Sequence, residues 1–85
     1  MKDTETSKLC REWREYLAKK SSGDGSVYVG TDDSKSLQRL FAEASSASGD
    51  VSLQETGTWV RQHFNEHIDA SWLMSRLKTA EEGSK

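Results

Sequence analysis

Leu9, Cys10, Trp13, Tyr16 and Leu17 follow one another at spacings of one, three, three and one, which gathers them on one face of an α-helix. The opposite face carries Arg11, Glu12, Arg14, Glu15 and Lys19. Within it, Arg11–Glu15 and Glu15–Lys19 are both i,i+4 pairs of opposite charge. Asp3 or Thr4 supplies an N-cap, and Lys19-Lys20 suits the negative end of the helix dipole. A one-sided stripe of this kind is stable only when other elements cover it, and the rest of the chain supplies candidates.

Ser21-Ser22-Gly23-Asp24-Gly25-Ser26 interrupts the helix with turn-forming residues. Val27-Tyr28-Val29-Gly30 then has the β-branched and aromatic content of a short strand. A strand needs a partner for its backbone groups, and Thr58-Trp59-Val60 is the one other segment of strand-like composition. Residues 56–60 therefore read either as helix or as strand.

The capping residues Thr31-Asp32-Asp33-Ser34 precede Leu37, Leu40, Phe41 and Ala44 at helical spacing. That helix is expected to fade through Ser45, Ser46, Ala47 and Ser48 and to stop at Gly49. Ser52-Leu53-Gln54-Glu55 matches a capping box, and Leu53, Val60, Phe64 and Ile68 extend a third helical face over 52–67. Gly57 lies on that stripe and weakens the helix by about 1 kcal/mol, but it leaves room for a neighbour to come close. Asp69 as N-cap places Ile68 and Leu73 in a hydrophobic staple and opens a last helix that buries Trp72, Leu73 and Leu77, with Met74 at the edge. Residues 81–85 are expected to fray, as are 1–4.

The fold class expected is mainly α. Residues 1–85 form a single small four-helix domain with one short extended segment near 27–30, and the alternative is a winged-helix-like α+β domain. Eighty-five residues leave no room for a second core, and 33% hydrophobic composition is lean for one. Three tryptophans, each able to bury roughly 150–250 Å², partly compensate. A homodimer or a partner would complete such a core.

The net charge of -2 gives no global attraction to nucleic acid or anionic membrane. Only residues 1–20, with six Lys/Arg against four Asp/Glu, are mildly basic. The N-terminal residues are polar and no apolar run reaches bilayer length, so the expected location is the cytoplasm, with no membrane contact. The lone Cys10 cannot form an internal disulfide and reads as a small buried hydrophobe.

No grouping of residues suggests catalysis. His63 and His67 stand four apart, as paired metal ligands often do, but the His-Glu-x-x-His order is absent and Cys10 could be a distant third ligand only if the first helix packed alongside. Neither a metal nor another cofactor is expected. Gly23-Asp24-Gly25-Ser26 lacks the lysine of a phosphate loop, and Asp24, Asp32 and Asp33 do not follow the calcium-loop spacing.

The function expected is non-enzymatic: a small adaptor or regulator that binds another protein, or a second copy of itself. The contact surface would lie on the last two helices, with Trp59 and Trp72 as anchors and Arg61 and Arg76 at the rim. Trp13 and Phe64 are expected to fold inward. The second reading is a DNA-binding regulator with a helix-turn-helix-like unit at 37–64, reading bases through Gln54, Thr58, Arg61, Gln62 and Asn65. One arginine and one acid on that helix, and the long spacer Ser45–Asp50, count against it.

Overall fold

Thr4 opens the first helix of the computed structural model, which describes residues 4–84. Its hydroxyl accepts the Ser7 backbone N–H at 3.0 Å and starts α1, Glu5–Lys20. Asp3, the other candidate cap, lies outside the described residues, as do 1–3 and Lys85 of the ends expected to fray. Cys10 and Leu17 are fully buried, and Leu9 and Trp13 pack against the core as the stripe requires. Tyr16 departs from the stripe: it is exposed at the helix edge, where its ring meets Trp13 edge-on.

Lys20 ends α1 in a small polar knot. Its Nζ donates to Asp33 at 2.9 Å and to the Tyr28 carbonyl, and it lies 4.9 Å above the Tyr16 ring. Burial opposes its charge, but the bonds to Asp33 and Tyr16 outweigh burial and raise its pKa.

The short strand β1, Ser26–Val29, forms where expected. Its partner is β2, Glu66–Asp69, and not the 58–60 segment, which is helical. The strands run antiparallel with Val27 opposite Ile68 and Tyr28 opposite His67. Alternation sends Val27, Val29 and Ile68 into the core and leaves Tyr28 and His67 outside.

Between the strands lie α2, Thr31–Ser48, and α3, Val51–Gln62. The cap of α2 is Gly30 rather than the Thr31–Ser34 cluster, because Thr31 is already helical and Asp32 and Asp33 sit in the first turn. It stops at Gly49, whose φ of 77° is the left-handed conformation that glycine adopts without strain. The spacer expected from Ser45 to Asp50 is thus two residues long, since serines 45, 46 and 48 remain helical. Ser48 and Ser45 turn their hydroxyls onto the backbone carbonyls of Ala44 and Asp50.

Asp50, not Ser52, caps α3: its Oδ1 accepts both the backbone N–H and the hydroxyl of Ser52. The helix expected over 52–67 ends at Gln62. Asn65, at φ 59°, reverses the chain, and Ile68 reaches the core from β2 rather than from a helix. Asparagine tolerates that conformation better than other non-glycine residues. Phe64, expected inside, falls in this turn and is 47% exposed.

The last helix, α4, spans Ala70–Gly83 with Asp69 accepting the Trp72 N–H at 3.1 Å, the cap read from the sequence. It continues through the residues expected to fray, because Glu81 is buried between Arg14 and Arg11 of α1. Gly83 lets this end pass close to Ser48 of α2, where an added Cβ would come within 3.1 Å.

The domain is mainly α, with four helices and one two-stranded antiparallel sheet among the described residues. It consists of two helix–loop–helix halves, α1–β1–α2 and α3–β2–α4, joined by residues 49–50 and by pairing between their loops. The winged-helix alternative does not match this order, since the two strands belong to different halves rather than to one hairpin. Phe41, Leu37, Leu53, Leu73 and Leu77 fill the centre.

Candidate binding surface

Trp59 lies on α3 beside the inward-facing Val60, so its indole is half-buried at the rim of the core. Trp72, expected with Leu73 and Leu77 on the buried side of the last helix, is instead 37% exposed, because as third residue of α4, beside the Asp69 cap, it sits at the edge of the core. The two rings meet with centroids 4.6 Å apart and planes tilted by 59°. His63, the C-cap of α3, stacks on Trp59 with centroids 4.2 Å apart and planes 25° from parallel. Its Nδ1 lies 3.2 Å from the Glu66 carboxylate, which fixes the imidazole against the indole.

One helical turn beyond Trp72, Arg76 reaches back to α3. Its Nε donates to Thr56 Oγ1 at 3.0 Å and its Nη2 to Ser52 Oγ at 2.7 Å. Thr56 and Ser52 stand four apart on α3, so a single guanidinium fork ties two of its turns to α4. Arg76 is therefore half-buried and anchored.

The tryptophan pair separates two clefts. One, of about 500 Å³, is lined by Trp59, His63, Glu66, His67, Ile68, Asp69 and Trp72. The other, of about 320 Å³, is lined by Ser52, Glu55, Thr56, Trp59, Trp72 and Arg76. A larger cleft of about 580 Å³ lies between α1 and α4, over Ala18 and Met74, with Arg11, Arg14 and Lys78 around it. Both of its arginines are already engaged with Glu81.

Trp59, Trp72 and Arg76, three of the residues proposed for protein contact, thus come together. Arg61 does not join them; it lines a separate cleft with Phe64, Lys35 and Gln38. On the face proposed for DNA, Gln54, Thr58, Arg61 and Gln62 are exposed along α3. Asn65 is off that helix, its side chain accepting from the Tyr28 hydroxyl and donating to Thr31. The two-residue link removes the objection of a long spacer, but the face still carries Glu55 beside its one arginine.

His63 and His67 are not on one helical face, because the helix ends between them: His63 faces Trp59 and His67 faces Tyr28. Among the described residues, no three His, Cys, Asp or Glu groups gather as a metal site. The first loop also lacks a calcium donor set. Taking Gly25 as the sixth position of a twelve-residue loop places Lys20 first and Thr31 last, where carboxylates are required. The Asp24 carboxylate is turned onto the hydroxyl and N–H of Ser26, bonds that lower its pKa.

Cys10 is fully buried. Burial, reinforced by the Glu81 charge and opposed by Arg14, pushes its thiol up to about 11. It stays protonated at neutral pH and acts as a packing group.

Sequence reasoning missed the Arg76 clasp on Ser52 and Thr56, the Arg14–Glu81 pair and the carboxylates lining the larger tryptophan cleft. Asn65 held a usable signal, since asparagine after a helical stripe marks a C-terminal stop. It would have ended the helix before Glu66, freeing Glu66–Asp69 for the strand seen here. No helix of the described residues is long and apolar enough to cross a membrane. Comparisons with family models, with curated proteins and with solved structures find no match to this chain.

Proposed function

We propose that this protein is a small non-enzymatic adaptor or regulator that binds another protein through the Trp59–Trp72 face, working in the cytoplasm. The observation that carries the reading is the tryptophan pair itself: two indoles in contact, partly open to solvent and flanked by clefts on both sides. Tryptophan is the residue most enriched among interface anchors, and a preformed cluster loses little side-chain freedom on docking. The Arg76 clasp and the His63–Glu66 contact support the reading, since both tie side chains of the face to neighbouring elements before a partner arrives. A single buried cysteine fits a reducing compartment.

The test compares wild type with Trp72→Ala, whose fold is checked by circular dichroism. Partners captured by the wild-type protein are purified and their affinity measured, while sedimentation velocity reads self-association. The Ala variant is expected to lose more than about 2 kcal/mol of binding, as central tryptophans commonly do. Unchanged affinity and unchanged oligomeric state would remove this face from the reading. A mobility shift with random duplex at low salt tests the DNA alternative, whose lone Arg61 gives it little phosphate-neutralising charge.

A further inference from the structure

The cleft between Trp59, Trp72 and β2 is charged as well as aromatic. Glu66 and Asp69 line it with His63 and His67, and neither lysine nor arginine is among its lining residues. The Glu66 side chain is 55% exposed, so its carboxylate stands open to a visitor while touching His63 through one oxygen. Asp69 lines the same cleft, its carboxylate held by a bond from the Trp72 backbone N–H.

We propose that this cleft takes an arginine or lysine side chain from an exposed segment of the partner protein, with the cation between Glu66 and the Trp72 ring. This deepens the reading above and rests on it. A cation over an indole is attracted by the ring's negative face, and a carboxylate at the same site adds a charge-assisted hydrogen bond. Arginine fits best, because its planar fork can stack on the ring and pair with the carboxylate together. His63 occupies part of the Trp59 surface, so Trp72 is the ring that presents to the incoming group. The same charges disfavour acidic peptides and nucleic acid at this site.

Three short synthetic peptides test the assignment. They share leucine and glycine positions and differ only in carrying arginine, glutamine or glutamate at the remaining ones. Binding is read by titration, following the indole N–H signals of Trp59 and Trp72 in nitrogen-labelled protein. The arginine peptide is expected to shift both signals and to bind about tenfold tighter than the glutamine peptide, with the glutamate peptide weaker still. Glu66→Gln is expected to remove most of that preference and Glu66→Lys to reverse it, while Glu82→Gln, on the exposed end of α4, leaves it unchanged.

Equal affinity for the arginine and glutamine peptides, or indifference to Glu66→Lys, overturns the proposal. If the glutamine peptide binds as well and Trp72→Ala abolishes both, the tryptophan face survives and only its basic specificity falls. If no peptide moves either indole, the basic-side-chain proposal fails, and the broader reading is judged by its captured partners.

Discussion

Arg14 of the first helix donates to the Glu81 carboxylate of the last, an ion pair that joins residues 67 positions apart. The Glu81 side chain is 8% exposed, and Arg11 approaches it from the preceding turn of α1 at 3.6 Å. The charge pattern of α1 looks local in the sequence, yet part of it serves the contact between the two terminal helices.

Glu81→Ala should therefore cost about 1.5–3 kcal/mol, the range for a hydrogen bond to a charged group. At roughly 4–8 °C per kcal/mol for a domain of this size, thermal unfolding should shift down by about 10 °C. Glu82→Ala, one residue on and exposed, should stay within about 0.5 kcal/mol of wild type. Equal effects of the two would mean that Glu81 is no more stabilising than a surface acid.

Cys10 gives a chemical readout of the same region. Its thiol, raised from 9.0 to about 11, should resist a disulfide reagent at pH 8 and react only as fast as the domain opens. The raised pKa means that the folded state holds this proton more tightly than the unfolded chain does. The associated stability is complete below pH 9 and is lost as pH rises through about 11. Cys10→Ala should flatten that alkaline loss in urea titrations, although Lys20, also raised, contributes a decline of the same sign.

At the acid limb the governing groups include Asp50. Bonds from the Ser52 hydroxyl and N–H lower its pKa below 3.8, so its contribution is present above that value and disappears as pH falls through the lower one. Asp50→Ala should reduce stability at pH 7, and its gap from wild type should narrow as pH falls below 3.8. Urea midpoints followed from pH 7 downward check this; a gap that stays constant would contradict it.

Gly57 faces Phe41 and the Gln38 backbone of α2, and an added Cβ would lie 3.4 Å from Phe41 Cβ and 3.5 Å from the Gln38 oxygen. One methyl just fits. Gly57→Ala should gain up to about 1 kcal/mol of helix propensity. Gly57→Leu should lose about 1–3 kcal/mol by overpacking, a change of sign that chemical denaturation resolves.

The helices were legible where apolar spacing and caps agreed. The Leu9–Leu17 stripe, the stop at Gly49 and the Asp69 cap all depend on contacts within a turn or two, which sequence records directly. The end of α3 was not legible from periodicity alone, because Phe64 and Ile68 continue a helical pattern by coincidence. One is exposed in a turn and the other is buried from a strand. The partner of β1 was hidden for the same reason, since four residues carry too little alternation to compete with an apparent helix. Trp59 and Trp72 could be named as surface candidates from the sequence, and the fold brings their two rings into contact. Arg61 and Arg76 were indistinguishable as rim charges until the fold sent one toward Phe64 and the other onto Ser52 and Thr56.

The pairing of Val27 with Ile68 gives the tryptophan face a mechanical tether. The strand that carries Glu66 and His67 is laced to a strand from the opposite half of the molecule, with Asn65 N–H and Ala70 N–H adding bonds to Val29 and Gly25 at its two ends. Prising open the recess beside Trp72 thus means unzipping a ladder anchored in the first half. On the proposed reading, a visiting side chain would meet walls already set, and strain applied at the 21–30 loop would be felt at that recess.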